Sequence, residues 1–188
     1  MLGFMKRICN DFDDVSVFIS LYFAFVRSHL EYAAVVWNPS YVVHSIKIEY
    51  IQKKIFSFLF IKLGYFNLIS FAPYTIKCRI LNIEHMYDKD KCASALFVFD
   101  ILTGRIDTPC ILSLLDIGVP ARLLRNNQNS LLRIRVHRTN YGSFDPDVLS
   151  MSTFINEFYH LFDFGQSRSS YRYCIRCCIF QNLIELSE

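Results

Sequence analysis

The chain has 188 residues, of which 53% are hydrophobic, 18 are Phe and only 6 are Gly. This composition excludes an intrinsically disordered chain, which would carry few aromatic residues and a high net charge. The length suits one domain, or one and a half, with a core that needs neither disulfides nor metal. A formal net charge of +3 indicates only a weak preference for anionic partners, so the local distribution of charge is more informative.

The cysteines are scattered along the chain at positions 9, 78, 92, 110, 174, 177 and 178. Their number is odd, and residues 1–4 lack the basic region followed by an apolar run that a secretory signal requires. The pattern therefore predicts reduced thiols and an intracellular protein, in the nucleus or the cytoplasm.

Residues 14–37 are predicted to form one amphipathic helix. A polar stripe runs through Ser20, Arg27 and Glu31 at helical spacing. The residues expected on the opposite, apolar face are Phe18, Tyr22, Phe25, Leu30 and Val36. The pattern favours a helix that packs one side against a core.

A membrane span is the alternative for this segment, because "LYFAFVRSHLEYAAVVWNPSY" (21–41) is strongly apolar. A charged residue at the middle of a bilayer costs roughly 2.5 kcal/mol or more, which argues against a span through this stripe. We therefore expect a core helix that Asp11 or Asp13 caps and that Pro39 ends.

A second helix is predicted from Ser45 to Leu63, ended by Gly64. The side chains expected to face inward are Ile48, Ile51, Ile55, Phe58 and Leu59. The side chains expected to face outward are Lys47, Glu49, Gln52 and Lys53. The window 55–72 is the most membrane-like of the chain, but polar residues and Gly64 divide it, so a buried helix end and a loop are expected.

Three further helices complete the predicted N-terminal region. The first covers 74–81, and the second covers 88–103 and ends at Gly104. The residues expected on the apolar face of the second are Cys92, Ala95, Leu96, Phe99 and Leu102. Thr108 and Pro109 predict the cap and first turn of a helix that closes before Gly118. Residues 1–118 are therefore predicted to form an antiparallel helical bundle.

Residues 119–188 differ in character from this bundle. "LLRIRVHR" (131–138) alternates apolar and basic residues with the period of two that is typical of a strand. One helix is predicted near 148–162, with "TNYGSFDPD" and "FGQSRSSYR" as loops. The predicted fold is thus mainly α, an antiparallel helical bundle followed by a basic segment with one or two short strands and a C-terminal helix.

Two groups of polar residues raise the question of metal binding. The carboxylates of "NDFDDV" (10–15) lie at a helix start, where capping is the simpler explanation. "YCIRCC" (173–178) offers three thiols, whereas a structural zinc site needs four ligands. No nucleophile and base pair or Gly-rich phosphate loop has a recognisable signature. We therefore predict no catalytic residue, metal site, cofactor or small-molecule substrate for this chain.

The stretch 121–138 is rich in arginine and contains no acidic residue. Its arginines are Arg122, Arg125, Arg133, Arg135 and Arg138. Guanidinium groups match phosphate well, so several on one face would bind nucleic acid in a salt-dependent way and without sequence preference. A solvated strand face explains the same pattern equally well, and the residues alone leave both interpretations open.

The segment "LYFAFVRSHLEYAAVVWNP" opens a series of blocks that continues through "IKIEYIQKKIFSFLFIKLG", "YTIKCRILNIEHM" and "ALFVFDILTGRIDTP". The series resembles, in order, the region downstream of the catalytic palm in jockey-like non-LTR (LINE-type) retrotransposon reverse transcriptases. The residues matching the first family block include Arg27, Glu31, Tyr32, Trp37 and Pro39. The likeness covers roughly residues 3–172, with later blocks at "VPARLLRN", "VHRTNYGSFDP" and "FDFGQSRSSYR", and "YCIRCCIFQNLIELSE" has no counterpart.

The resemblance implies that the chain is the thumb and C-terminal region of an RNA-directed DNA polymerase, separated from its palm. In that family this region helps to hold the template-primer duplex, while paired aspartates of the palm bind two Mg²⁺ ions. Those aspartates have no counterpart here. The resemblance therefore implies a fragment that is inactive alone, whose partners are RNA/DNA template-primer and the missing palm rather than a membrane.

The resemblance also sets expectations for single residues. Arg27 and Glu31, one helical turn apart, are expected to pair with each other or to cap the bundle. Trp37 is expected to anchor the core rather than to stack on bases. Asp90 and Asp100 lie where relatives often have basic or polar residues, and they are expected to weaken a basic groove.

Two functions are compatible with these observations. The first is residual nucleic-acid binding by a basic set of residues, namely Lys47, Lys53, Lys54, Arg122, Arg125, Arg133, Arg135 and Arg138. The second is a helical protein without a nucleic-acid role, whose apolar surface serves protein association or membrane contact. The window 55–72 distinguishes the two, because only the second function needs it to reach a membrane or a partner.

Overall fold

The computed structural model describes residues 2–9, 14–37, 39, 41–62, 73–113, 115–117, 132–133 and 137–185. This described part is mainly helical, which confirms the predicted fold class at that level. The contacts between residues divide the chain into two compact units, Met1–Asp90 and Lys91–Glu188. The boundary predicted between residues 118 and 119 borders a stretch outside the described residues, so it stays a prediction.

The helices that begin in the first unit are α1 (Leu2–Ile8), α2 (Val15–Tyr22), α3 (Ser28–Glu31), α4 (Ala34–Trp37), α5 (Val42–Lys62), α6 (Tyr74–Leu81) and α7 (Met86–Leu102). Asp14 caps α2, because its carboxylate accepts a hydrogen bond from the backbone N–H of Ser16 at 2.9 Å. This bond lowers the pKa of Asp14, as expected for a carboxylate at a helix start. Asp11 and Asp13, the predicted caps, lie outside the described residues, as does the predicted stop Gly64.

The prediction of one continuous helix over 14–37 is wrong, because two features interrupt it. A π-helical turn at Phe23–Arg27 adds a residue to the turn and rotates the next residues of the helix by about 100°. Arg27, predicted on the polar stripe, is therefore buried, and Phe25, predicted to face inward, is exposed. Ala33 then adopts a left-handed conformation with φ +51°, which separates α3 from α4.

The core of the first unit forms around α5. Its buried side chains include Phe18, Tyr22, Val26, Ile55, Phe56, Leu59, Phe60, Cys78 and Ile83. Ile55 and Leu59 confirm the predicted inward face of this helix. Phe18 and Tyr22 likewise confirm the first half of the apolar face predicted for residues 14–37, ahead of the π-helical turn.

The prediction that Gln52 faces outward is wrong, because this side chain is fully buried. Its carbonyl oxygen accepts a hydrogen bond from the Tyr22 hydroxyl at 2.8 Å. Its amide nitrogen donates to the backbone carbonyl of Glu84 at 3.1 Å. A buried amide is tolerated when both of its polar ends are paired, and helical periodicity carries no information about such distant partners.

The predicted helix at 74–81 is confirmed with the same bounds in α6. It ends at Asn82, which has a left-handed φ of +52°, and the backbone N–H of Ile83 bonds to the carbonyl of Cys78 at 2.9 Å. Asn tolerates this conformation better than other residues with a side chain, so it replaces the usual glycine as the helix stop.

The elements that begin in the second unit are α8 (Pro109–Leu112), β1 (Asp116–Ile117), β2 (Leu132–Arg133), α9 (Asn140–Ser143), α10 (Pro146–Thr153) and α11 (Arg168–Glu185). A π-helical turn at Phe154–Phe158 and a 3₁₀ turn at Tyr159–Leu161 continue α10, so the helix predicted near 148–162 is present in an irregular form. Gly104 ends α7 with φ +69°, as predicted.

The two strands pair in antiparallel register, with Asp116 opposite Arg133 and Ile117 opposite Leu132. Leu132 is buried and Arg133 is exposed, which agrees with the alternation predicted for 131–138. Residues 138 and 139 lie beyond the strand and bend into α9, where the Thr139 side chain accepts a hydrogen bond from the first turn.

The second half of α7 supplies the core of the second unit. Cys92, Ala95, Leu96 and Phe99 are buried and Leu102 packs beside them, so the predicted apolar face is confirmed. The Phe99 ring stacks on Tyr171 of α11, with 4.7 Å between the ring centroids.

The prediction of a loop at "FGQSRSSYR" is wrong from Arg168 onward, where α11 begins. Serine-rich sequence has only a moderate helix preference, but tertiary contacts override it. Tyr171 and Ile175, one turn apart, are fully buried. Nε of Arg168 also bonds to both carboxylate oxygens of Asp100, at 3.0 and 2.8 Å.

Candidate nucleic-acid interface

The outer face of α5 carries the lysines that the sequence predicted to bind nucleic acid. Lys47, Lys53 and Lys54 are all exposed. Lys47 and Lys54 are two turns apart and point to the same side of the helix, whereas Lys53 lies about 100° around the helix from Lys54, towards Tyr74. The structure therefore brings three of the eight predicted basic residues together on one helix.

The only acidic residue of α5, Glu49, is drawn away from this face. Its carboxylate accepts hydrogen bonds from the Tyr74 hydroxyl, from Nδ1 of His85 at 3.2 Å and from the backbone N–H of Met86 at 3.2 Å. Burial alone would favour the neutral acid, but the bonds from His85 and Tyr74 outweigh it and lower the pKa of Glu49. The exposed charges of α5 are consequently all positive.

Two of the lysines lie against aromatic rings. Nζ of Lys54 is 4.6 Å from the centroid of the Tyr50 ring, and Nζ of Lys53 is 5.0 Å from that of Tyr74. Such cation–π contacts keep the side chains close to the helix without removing their charge. Tyr50 itself is 54% exposed, so its ring is accessible between the lysines.

Arg27 and Glu31 pair with each other, which is the first of the two roles predicted for them. Nε of Arg27 lies 2.5 Å from Oε1 of Glu31, and Nη1 lies 3.4 Å from the carbonyl oxygen of Glu84. The guanidinium also stands 5.2 Å from the centroid of the Phe23 ring. Arg27 is 3% exposed, so in the first unit it connects Glu31, Glu84 and Phe23 and does not contact phosphate.

The expectation that Trp37 anchors the core is wrong, because this residue is 40% exposed. The turn at Ala33 directs the indole Nε1 towards the carbonyl oxygen of Tyr32, at 2.5 Å. Tyr32 is itself 79% exposed, and Pro39 is half-buried, with its carbonyl oxygen accepting a bond from the Ser45 hydroxyl. Tyr32, Trp37 and Pro39 thus contribute to a local turn rather than to a hydrophobic core.

The arginine-rich stretch is described only in part. Arg133 and Arg138 are exposed, whereas Arg122, Arg125 and Arg135 lie outside the described residues. Arg133 stands opposite Asp116 in the strand pair, so an acidic residue lies beside it. Nucleic-acid binding by this stretch stays a prediction.

Asp90 and Asp100 do not lie on an exposed groove, so the expectation that they weaken one is wrong. Each is only 7% exposed. In the second unit, Asp100 is neutralised by Arg168. In the first unit, the pKa of Asp90 is raised to about 7, mainly because the carboxyl group is buried. The negative charges of Glu31 and Glu49 raise it further, and the positive charge of Arg27 opposes them. Within the described part of the chain, Oδ1 of Asp90 has no hydrogen-bond partner.

The cysteines among the described residues form no disulfide with one another. Cys174, Cys177 and Cys178 are half-buried on α11, while burial raises the pKa of Cys78 to about 11. Among the residues that the structure describes, no three His, Cys, Asp or Glu side chains are grouped closely enough to hold a metal ion.

The structure also shows candidate binding residues that the sequence did not predict. The role of Tyr50 could not be predicted, because an exposed aromatic residue on a helix has no periodic signal of its own. Arg172 and Arg176 are exposed on α11 together with Tyr173. Their spacing of four residues is a sequence signal for one face of a helix, which the loop predicted for this segment does not include.

Comparison with protein-family models, curated proteins and solved structures finds no match to this chain. Among the helices of the described ranges, none combines the length and the apolar character needed to cross a membrane.

Proposed function

We propose that this chain is the thumb and C-terminal region of a non-LTR retrotransposon reverse transcriptase, folded as an antiparallel helical bundle that binds RNA/DNA template-primer. The ordered resemblance over roughly residues 3–172 supports the origin. The exposed face of α5 supports the binding, because Lys47, Lys53 and Lys54 project there while Glu49 is held inward. This face, whose exposed charges are all positive, is the observation that carries the proposal.

The proposed fragment holds nucleic acid but does not extend a primer. The paired aspartates that bind Mg²⁺ in the family's palm have no counterpart in the sequence, and Asp14 is engaged in capping α2. A purified chain supplied with primed RNA, deoxynucleotides and Mg²⁺ is expected to incorporate no nucleotide. Primer extension by the purified chain, with none from a mock purification of cells lacking it, would contradict this part of the proposal.

A filter-binding assay on an RNA–DNA hybrid at increasing salt tests the binding. The affinity is expected to be measurable at low salt and to fall linearly with the logarithm of salt concentration, because phosphate contacts release counterions. No affinity at low salt, or an affinity that salt leaves unchanged, would contradict nucleic-acid binding. A reading frame immediately upstream in the genome that encodes a Tyr-x-Asp-Asp sequence would support the proposed origin.

One observation favours a second function, which is protein association or membrane contact. Val42, Val43 and Ile46, neighbours in the first turns of α5, are between 59% and 71% exposed. Contiguous exposed apolar side chains are typical of an interaction surface. Residues 63–72 of the discriminating window lie outside the described part. Retention of the chain on carbonate-washed membranes, without affinity for nucleic acid, would favour this second function.

A further inference from the structure

The outer face of α5 combines positive charge with an accessible aromatic ring. Tyr50 lies between Lys47 and Lys54 at spacings of three and four residues, which places the three side chains on one side of the helix. The distance from Lys47 to Lys54 along the axis is about 10 Å at 1.5 Å per residue. That length corresponds to roughly three stacked nucleotides at about 3.4 Å each.

The ring of Tyr50 is both held and accessible. Nζ of Lys54 lies 4.6 Å from its centroid, so one ammonium group restrains the ring, yet the residue remains 54% exposed. An aromatic ring has two faces, and a base can stack on the face that the ammonium group does not cover. Lys53 is similarly placed, 5.0 Å from the ring of Tyr74, with its charge still at the surface.

We propose that the outer face of α5, formed by Lys47, Tyr50, Lys53 and Lys54, is a platform for single-stranded nucleic acid. Lys47 and Lys54 bind phosphates about three nucleotides apart, and Tyr50 stacks on an unpaired base between them. This inference rests on the proposed function, since it uses the same lysines, and it adds the substrate class. A duplex keeps its bases stacked inside, so it can use the lysines but offers Tyr50 no free base face.

Fluorescence anisotropy with the full chain tests the platform. The probes are a labelled 12-nucleotide oligouridine and an RNA–DNA hybrid of equal length, both at low salt. Tyr50→Leu is expected to weaken binding to the single strand roughly tenfold and to leave hybrid binding within twofold. Tyr50→Phe is expected to retain the affinity, because it keeps the ring. Tyr141→Leu, at another highly exposed tyrosine, is the control and is expected to change neither affinity.

The outcomes separate this inference from the function on which it rests. If Tyr50→Leu leaves the affinity for both probes unchanged, or lowers both affinities equally, the stacking platform is overturned while phosphate binding stands. If the chain binds neither nucleic acid, both proposals are overturned. Vesicles of anionic phospholipid are the third probe. Binding to these vesicles that is lost when Lys47, Lys53 and Lys54 are replaced by Gln, without any binding to oligouridine, would identify the face as a membrane contact and would overturn the platform.

Discussion

Gln52 shows how one buried amide connects separate parts of the first unit. Its two ends satisfy the Tyr22 hydroxyl and the carbonyl of Glu84. Gln52→Leu is expected to lower the free energy of unfolding by about 2 kcal/mol, because it leaves buried polar groups without their partner. Urea unfolding followed by circular dichroism measures the change.

A double-mutant cycle provides the control for this prediction. Tyr22→Phe removes the hydroxyl that would otherwise be left unpaired. The combined Tyr22→Phe and Gln52→Leu variant should therefore lose less stability than the sum of the single changes. Strictly additive losses would show that the hydrogen bond between the two side chains contributes nothing to the folded state.

Asp90 predicts a pH dependence of stability. Its pKa is raised to about 7 in the folded chain, whereas an unfolded aspartate titrates near about 3.9. Between these values the folded state binds the additional proton, so stability falls as the pH rises from about 4 to about 7. Asp90→Asn removes the ionisable group, so its free energy of unfolding should not fall in this way. The difference in free energy of unfolding between the variant and the natural chain should therefore grow over the same range, by on the order of 1.4 kcal/mol per pH unit and to a few kcal/mol at most.

Thermal or urea unfolding at several pH values measures this advantage. Asp107→Asn, which replaces an exposed carboxylate, is the matched control and should follow the natural chain at every pH. An advantage of Asp90→Asn that is the same at pH 4 and pH 8 would mean that Asp90 is not protonated in the folded state.

At the scale of elements, the break between α3 and α4 depends on an alanine in a left-handed conformation. A side chain in that region costs roughly 1 kcal/mol relative to glycine. Ala33→Gly should therefore leave stability unchanged or raise it by up to about 1 kcal/mol. Ala34→Gly, one residue later in the regular helix α4, is the matched control and should destabilise by about 0.5–1 kcal/mol.

Urea unfolding of the two variants compares these effects directly. Equal losses for Ala33→Gly and Ala34→Gly would show that residues 28–37 form one continuous helix in solution. Such a result would support the continuous helix that the sequence predicted.

Several elements could be predicted because their signals are local. The bounds of α6 and the stop of α7 at Gly104 follow from short-range rules of helix starts and stops. The apolar face of α7 follows from a clear period in the sequence. Other features could not be predicted, because they depend on distant residues. The burial of Gln52 requires Tyr22 and Glu84, and α11 requires Phe99 and Asp100.

The candidate site was predictable to a similar extent. The exposure of the α5 lysines follows from helical periodicity, and the pairing of Arg27 with Glu31 follows from their spacing. The inward turn of Glu49 could not be predicted, since its partners Tyr74 and His85 lie in other segments. Because the Glu49 side chain points inward, the exposed charges of α5 are all positive.

At the scale of the whole molecule, buried polar groups and exposed charges have separate roles. The buried polar groups stabilise the first unit, while we propose that the exposed lysines on α5 bind nucleic acid. Replacing those lysines should therefore change binding and not folding. Each is exposed, and removing exposed charges typically alters stability by no more than about 0.5 kcal/mol.

The salt dependence of hybrid binding tests the central claim most directly. It is compared for the natural chain, for a variant with Lys47→Gln, Lys53→Gln and Lys54→Gln, and for a control with Arg7→Gln, Arg79→Gln and Arg105→Gln, which removes the same charge from exposed positions. We predict that the α5 variant reduces the slope of log affinity against log salt by about 2–3, and the control by less than about 1. Equal reductions in the two variants, or an unchanged slope in the α5 variant, would contradict the claim that α5 holds the nucleic acid.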